Sequence, residues 1–230
     1  MRIDGLQKMT LLDFPGKVAC TVFTGGCNFR CPFCHNAPLV TELSEKPDFT
    51  VDEVLDFLKK RSGLLDGVAI TGGEPLINPE MPDFIREIRR LGYAVKLDTN
   101  GSFPERLKDI VSEGLVDYVA MDIKNRKEKY AETIGLVSYD ISNVEESIAF
   151  LKSGAVDCEF RTTVVKQFHT VEDIRRAAEW ISDAERYFLQ SFVDSGNLIC
   201  DSVSGVDKET MLEMQKAASE FVPQTQIRGI

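Results

Sequence analysis

The sequence predicts an α/β fold on a parallel sheet, either an incomplete, open (β/α) barrel or a doubly wound sheet. Short β-branched segments alternate with helical segments along the chain, which is typical of consecutive βαβ units. The alternation gives six such units, which are too few for a closed eight-stranded barrel. In both architectures the functional site lies at the carboxyl ends of the strands.

The predicted strands and helices alternate in chain order. Strands are predicted at residues 18–23, 68–70, 94–97, 118–121, 159–165 and 187–189. Helices are predicted at residues 51–61, 79–91, 104–113, 144–152, 171–181 and 208–221. Thr50, with Glu53 three residues later, predicts a capping box at the start of the first helix. Asn78 before Pro79 predicts the start of the second helix, because proline suits the first helical position.

Composition and charge limit the class of protein. The chain has 230 residues, 43% of them hydrophobic, and no repeats or linkers, so we expect a single domain over residues 1–230. The net charge of −10 argues against a nucleic-acid or membrane-surface partner, since both favour a basic face. No apolar run approaches the ~18–20 residues of a membrane span, and the first residues lack the apolar segment of a secretory signal. We therefore expect a protein of the reducing cytoplasm.

Cysteine usage points to a metal site. Of the six cysteines, Cys27, Cys31 and Cys34 are clustered. In a reducing compartment, clustered cysteines bind metal more often than they form disulfides. The other cysteines lie singly in or beside apolar segments, where we expect them to pack. They are Cys20, Cys158 and Cys200.

The clustered cysteines follow the first predicted strand with the spacing Cys-x3-Cys-x2-Cys. Gly25 and Gly26 give the loop the backbone freedom to wrap closely around a metal centre. Phe29 and Phe33 are placed to cover such a centre and to limit access of water. A cubane cluster has four irons, so three thiolates leave one iron open to substrate.

Two other metal sites stay open from the residues alone. One is a c-type haem attachment site, whose pattern is Cys31-Pro32-Phe33-Cys34-His35. Haem attachment follows export, however, and no export signal is present. The other is a structural zinc site that includes His35, although the adjacent Cys34 and His35 are poorly placed to bind one ion.

The cysteine loop resembles the signature of the radical SAM superfamily, in which an aromatic residue precedes the last cysteine. The wider stretch of residues 12–17 (LDFPGK) and 26–36 (GCNFRCPFCHN) is similar to the glycyl-radical-enzyme activases. Within them it most resembles the activating proteins of anaerobic ribonucleoside-triphosphate reductase. The resemblance implies an incomplete (β/α)6 barrel of the radical SAM type. It also implies a [4Fe-4S] cluster on Cys27, Cys31 and Cys34, with S-adenosylmethionine (SAM) as the second cofactor.

Polar motifs follow four successive strands, at the edge where a parallel sheet places its site. They are Thr71-Gly72-Gly73-Glu74-Pro75, Leu97-Asp98-Thr99-Asn100-Gly101, Met121-Asp122-Ile123-Lys124 and Glu159-Phe160-Arg161-Thr162-Thr163-Val164-Val165. The resemblance implies that they contact SAM, with Glu74 near its amino group and Lys124 near its carboxylate. On the last of these strands, alternation places Glu159, Arg161 and Thr163 on one face.

The SAM contacts implied by the resemblance are Phe33, Gly72, Gly73, Glu74, Asp98, Thr99, Asn100, Asp122, Lys124, Arg161 and Gln190. Gln190 follows the sixth strand, where some activases carry a histidine that touches the cofactor. Neither His35 nor His169 takes over that role, so both stay unassigned.

The resemblance implies an enzyme that cleaves SAM reductively to methionine and a 5′-deoxyadenosyl radical. The radical would remove a hydrogen atom from a glycine of a large partner enzyme, which the resemblance identifies as anaerobic ribonucleotide reductase. A flavodoxin- or ferredoxin-like protein would supply the electron. Two alternatives stay open: a radical SAM enzyme acting on another protein or a small molecule, and a non-catalytic iron–sulfur or zinc module.

Overall fold

The computed structural model describes residues 1–194 and 196–230, and its centre is one eight-stranded sheet. The strands are β1 (Ile3–Thr10), β2 (Ala19–Thr24), β3 (Gly67–Gly72), β4 (Ala94–Thr99), β5 (Tyr118–Asp122), β6 (Asp157–Val164), β7 (Tyr187–Ser191) and β8 (Thr225–Arg228). They lie side by side in chain order, with β1 antiparallel to β2 and every other neighbouring pair parallel. A doubly wound sheet reverses its strand order, so this order corresponds to the open barrel that the sequence predicted.

Helices connect the parallel strands and cover the outer face of the barrel. They are α1 (Pro38–Thr41), α2 (Val51–Lys59), α3 (Met81–Arg90), α4 (Pro104–Ser112), α5 (Tyr130–Thr133), α6 (Ser142–Lys152), α7 (Val171–Trp180) and α8 (Lys208–Ser219). Because parallel crossovers are right-handed, strands in chain order place all their connecting helices on one side. Ile85 and Ile88 of α3, and Ile70 and Leu97 of the strands, are fully buried in the resulting core. Within residues 1–194 and 196–230, no helix is both long enough and apolar enough to cross a bilayer.

The predicted strands correspond to β2–β7, and the predicted helices correspond to α2, α3, α4, α6, α7 and α8. α2 begins at the predicted capping box, because Thr50 and Glu53 each accept from the other's backbone N–H. The predicted start of α3 is wrong, since Glu80 rather than Asn78 occupies its N-cap. Asn78 instead ends a 3-10 turn and donates its amide to the Pro75 carbonyl at 3.2 Å. β1, β8 and the short helices α1 and α5 add to the predicted elements.

An aromatic side chain from the loop between β1 and β2 closes the amino end of the barrel. Phe14 is buried and packs with Ala19 at the start of β2 and with Tyr118 at the start of β5. The ring centroids of Phe14 and Tyr118 lie 6.4 Å apart. A Cβ at Gly67, the first residue of β3, would lie 2.9 Å from the Phe14 ring, so glycine leaves room for the ring. The amino end is therefore filled, and the carboxyl end is available for a site.

Candidate functional site

A cavity lies at the carboxyl edge of the sheet, where the loops that follow β2 to β5 meet the last residues of β6 and β7. The predicted site residues that line it are Cys27, Cys31, Phe33, Cys34, Gly72, Gly73, Asp98, Thr99, Asn100, Asp122, Lys124, Arg161 and Gln190. His35 also lines the cavity and is exposed, so it marks the open mouth. The structure therefore brings together residues from six strand ends, as expected for a parallel sheet.

The cysteine loop is held on one side by close contacts with the loop after β3. The Glu74 N–H donates to the Gly26 carbonyl at 2.9 Å. A Cβ at Gly73 would lie 2.0 Å from the same carbonyl oxygen, so the loops approach this closely only because no side chain intervenes. The Asn36 amide adds a bond of 3.0 Å to the Gly72 carbonyl. The Gly-Gly-Glu motif thus positions the cysteine loop.

On its other side, the cysteine loop packs against the segment around α5. The Arg30 N–H donates to the Ile134 carbonyl at 2.9 Å. Gly135 has a φ of +72°, and a Cβ there would lie 2.1 Å from the Arg30 carbonyl oxygen. The Phe29 ring packs edge-on against Tyr139, with centroids 5.2 Å apart. The loop is therefore supported from both sides.

Burial favours the protonated form of the clustered thiols in the metal-free protein. Burial raises the pKa of Cys27 to about 12 and that of Cys31 to about 11, and it also raises the pKa of Cys34. The Lys124 ammonium acts on all three pKa values in the opposite direction, but its effect is smaller than that of burial. A metal bound by these thiols therefore displaces their protons.

The chemistry of the donor set fits an iron–sulfur cluster. Thiolates are soft ligands that suit iron–sulfur clusters, and three of them on one loop leave one iron of a cubane open. Across the described ranges, 1–194 and 196–230, no three His, Cys, Asp or Glu side chains are arranged to hold a single metal ion. The His35 ring, which the zinc alternative needs as a ligand, stacks on Phe192 with centroids 5.1 Å apart.

Opposite charges alternate along the cavity wall. Arg161 donates to Asp98 at 3.2 Å and to Asp122 at 3.1 Å, and Lys124 donates to Asp122 at 2.8 Å. The buried Lys96 also donates to Asp98. Burial alone would raise the pKa of Asp122, but Lys124 and Arg161 hold it at about 2. Despite burial, Arg161 and Lys96 likewise hold the pKa of Asp98 below its usual value, so both carboxylates are ionised at neutral pH.

Glu74 is fully buried and is not among the residues that line the cavity, so its contact with the SAM amino group stays a prediction. Its side chain caps the 3-10 turn that follows, accepting from the Leu76 N–H at 3.1 Å. It also accepts from the Thr99 hydroxyl at 2.8 Å and from the Asn100 N–H at 2.6 Å. Burial raises the pKa of Glu74 to about 7, although these donors oppose the rise. Glu74 therefore ties the end of β3 to the motif after β4.

Asn100 extends this connection to the cysteine loop. Its amide donates to Asn28 Oδ1 at 3.0 Å, and the Asn28 amide donates to Ser102 Oγ at 2.9 Å. The Cys27 sulfur accepts from the Phe29 N–H at 3.3 Å and lies 3.9 Å from Asn100 Nδ2. Hydrogen bonds to a ligating sulfur tune the potential of an iron–sulfur cluster.

The cavity wall also includes residues that are neither predicted cluster ligands nor named individually as SAM contacts. They are Phe29, His35, Asn36, Val40, Thr71 and Thr163. Thr163 carried a usable signal, because it alternates onto the same face of β6 as Arg161. Glu159 shares that face but lies deeper, where Arg228 donates to its two oxygens at 2.7 and 2.8 Å. Alternation thus predicts the face of a residue and not its depth in the barrel.

The single cysteines divide into two groups. Cys20 is fully buried in the core and Cys158 packs partly buried against it, as expected. Cys200 lies outside the core, contrary to prediction. Its N–H donates to the Pro32 carbonyl at 2.9 Å, and its sulfur lies 3.1 Å from Ser202 Oγ.

This chain is similar to known proteins in sequence and in fold. A Methanocaldococcus jannaschii protein, provisionally named a glycyl-radical enzyme activating enzyme, is 31% identical over 99% of this chain and 96% of its own length. A pyruvate formate-lyase-activating enzyme of Clostridium pasteurianum is 32% identical over 54% of this chain and 52% of its own length. Streptococcus suis SuiB, solved with S-adenosylmethionine bound, matches with a TM-score of 0.70 at 12% identity. That match covers 89% of this chain and 48% of SuiB, and it shows a shared fold.

The family match includes most of the sheet and of the site. Residues 21–189 match the model of the Radical SAM superfamily, whose members use a [4Fe-4S] cluster and SAM. The matched range contains every predicted site residue except Gln190, and the open barrel with its cysteine loop agrees with it. The chain belongs to the Radical SAM superfamily.

Proposed function

We propose that this protein is an activating enzyme that uses a [4Fe-4S] cluster and SAM to remove a hydrogen atom from a glycine of a partner enzyme. One observation carries the proposal: the cysteine loop and a set of paired opposite charges line the same cavity. The proposed cluster ligands therefore face groups suited to the ammonium and carboxylate of an amino acid. The relatives named as activating enzymes support a glycine as the target.

The charged residues match the methionine end of SAM. The ionised Asp98 and Asp122 favour an ammonium group, whereas Lys124 and Arg161 favour a carboxylate. These four side chains already pair with one another. A zwitterionic ligand can therefore exchange partners with them without leaving a buried charge unpaired.

The cysteine loop supplies the site for the cluster. Cys27, Cys31 and Cys34 would each hold one iron and leave the fourth iron of a cubane for SAM. A cluster held there would supply the electron for the reductive cleavage of SAM to methionine and a 5′-deoxyadenosyl radical, and that radical would take the hydrogen atom. Phe29 and Phe33, which are 2% and 4% exposed, limit the access of water to this wall.

For the target we propose a glycine of anaerobic ribonucleoside-triphosphate reductase. The resemblance of residues 26–36 to the activating proteins of that enzyme supports this partner. A glycine suits a radical held within a cavity, because a Cα without a side chain can approach closely. The exposed His35 marks the side from which a protein segment would enter. A flavodoxin- or ferredoxin-like donor in a reducing cytoplasm would supply the electron.

Anaerobic reconstitution tests the proposal in two steps. Protein loaded with iron and sulfide is mixed with SAM and dithionite, and we expect methionine and 5′-deoxyadenosine as products. Anaerobic ribonucleotide reductase is then added, and we expect a glycyl-radical doublet in the EPR spectrum. SAM cleavage without a doublet, together with productive cleavage on another protein or a small molecule, would refute the proposed target.

Cys31→Ala and Cys158→Ala provide a matched pair of variants. Cys31 faces the cavity, whereas Cys158 lies near the start of β6 at the opposite end of the barrel. We expect Cys31→Ala to abolish SAM cleavage and Cys158→Ala to retain it. Equal losses of SAM cleavage in the two variants would contradict the assignment of Cys31 as a cluster ligand. If the wild-type protein forms neither methionine nor 5′-deoxyadenosine, the proposal that it is an enzyme is wrong.

A further inference from the structure

His169 lies in the turn that follows β6, and the residue is 3% exposed. It faces the backbone of the segment after β5 and the ring of Phe33 in the cysteine loop. The sequence patterns assign no role to this histidine. Its contacts connect loops that follow three different strands, β2, β5 and β6.

Both ring nitrogens of His169 are engaged. Nε2 lies 2.8 Å from the Lys124 carbonyl oxygen, and Nδ1 accepts from the Val165 N–H at 3.0 Å. Nδ1 also lies 3.2 Å from the Val165 carbonyl oxygen. Since a carbonyl only accepts, Nε2 carries a hydrogen, and in the neutral ring Nδ1 is then the acceptor for the Val165 N–H. Burial lowers the pKa of His169, which agrees with this neutral tautomer. The bond from Nε2 fixes the backbone of Lys124, whose ammonium lines the cavity.

The same turn packs against the cysteine loop. The Phe33 ring lies 5.6 Å from the Phe168 ring and 6.3 Å from the His169 ring, measured between centroids. The His169 ring meets Phe33 edge-on, at an interplanar angle of 72°. Phe33 stands between two of the clustered cysteines and lines the cavity. A second hydrogen bond joins this turn to the segment after β5, because the Asn125 amide donates to the Phe168 carbonyl at 3.0 Å.

We propose that His169 is a positioning residue for SAM binding, acting through its bond to the Lys124 carbonyl and its contact with Phe33. The inference rests on the proposed function, in which the Lys124 ammonium binds the SAM carboxylate. A ring that only filled space would account for the contact with Phe33. It would not account for a donor aimed at the backbone of Lys124.

Three substitutions separate these contacts. His169→Gln retains a donor at the place of Nε2 and loses the acceptor for the Val165 N–H. His169→Asn retains an acceptor near the place of Nδ1 and is too short to reach the Lys124 carbonyl. His169→Phe retains the ring against Phe33 and loses both hydrogen bonds. The Gln and Asn variants thus each lose one of the two bonds.

The experiment measures the SAM dissociation constant of reconstituted wild type and variants by equilibrium dialysis. Iron content per chain and melting temperature serve as controls for the cluster and the fold. Relative to wild type, we expect His169→Asn and His169→Phe to bind SAM about 3- to 10-fold more weakly, the equivalent of one hydrogen bond. We expect His169→Gln to bind SAM within about twofold of wild type, since it keeps the bond to Lys124.

The outcomes are distinguishable. Weaker SAM binding by the Asn variant than by the Gln variant, at equal melting temperature and iron content, supports the positioning role. Equal SAM binding by these two variants overturns it, because a merely structural histidine tolerates or suffers from both changes alike. If the wild-type protein holds iron but binds no SAM, the proposed function fails first, and this inference fails with it.

Discussion

The buried carboxylate of Glu74 gives the sharpest test of how the site is assembled. It lies behind the cavity and accepts three hydrogen bonds, from the Leu76 N–H, the Asn100 N–H and the Thr99 hydroxyl. Replacement of Glu74 by alanine removes every one of these bonds at once. We therefore expect a loss of stability that exceeds the effect of a surface substitution.

The magnitude follows from the two backbone donors. In Glu74→Ala, the N–H groups of Leu76 and Asn100 lose their acceptor, and each unsatisfied buried donor costs about 1–3 kcal/mol. The expected loss is therefore about 2–6 kcal/mol, since the Thr99 hydroxyl can rotate towards another acceptor. Glu74→Gln retains one oxygen but turns an NH2 group towards a donor, so we expect an intermediate loss of about 1–3 kcal/mol.

Urea unfolding of the metal-free protein under reducing conditions measures these differences in the free energy of unfolding. Glu45→Ala is the matched control, because Glu45 is an exposed glutamate. We expect that control to stay within about 0.5 kcal/mol of wild type. If Glu74→Ala is as stable as Glu45→Ala, then Glu74 does not tie the two strand ends together, and the reasoning is refuted.

Arg228→Met leaves the buried Glu159 without its two charge-assisted bonds, and we expect urea unfolding to show a loss of about 2–3 kcal/mol at pH 7. Despite burial, Arg228 holds the pKa of Glu159 below its usual value, so this stabilisation is present above the unfolded-state pKa of about 4.3. It is lost as the pH falls through the lowered folded-state pKa of Glu159. A difference in the free energy of unfolding between variant and wild type that persists below that pH would contradict this account. Gly73→Ala places a Cβ 2.0 Å from the Gly26 carbonyl oxygen, and we expect it to reduce the iron bound per chain after reconstitution. Gly63→Ala is its control, because a Cβ there meets no atom within 4 Å and the change adds only the backbone strain of a φ of +75°; equal iron content in the two variants would count against the close contact of the loops.

The repeated units of the barrel could be predicted from the sequence because their pattern is local. Strands β2–β7 are rich in apolar residues, each is followed by a helix (α8 in the case of β7), and each has at least half of its residues buried. β1 escaped prediction because it is an edge strand whose later residues are exposed, so its pattern is weak. β8 has only four residues and ends the sheet. The formation of β1 and β8 depends more on pairing with the neighbouring strand than on their own residues.

The cavity lining could also be predicted, since the cysteine spacing and the strand ends are local features. The directions of particular side chains could not. The Glu74 carboxylate accepts from the N–H of Asn100, which is 26 residues further along the chain. His169 reaches the Lys124 carbonyl across 45 residues. Such pairings exist only once the barrel has brought the strand ends together.

The central claim is that one cavity holds both the cluster and SAM, and the EPR spectrum of the dithionite-reduced protein tests it most directly. The spectrum is recorded with and without SAM after anaerobic reconstitution. We predict that SAM shifts the g values of the cluster signal, because its carboxylate and, once it has lost a proton, its amino group would bind the iron that Cys27, Cys31 and Cys34 would leave open. A cluster signal that stays the same at saturating SAM would contradict the account.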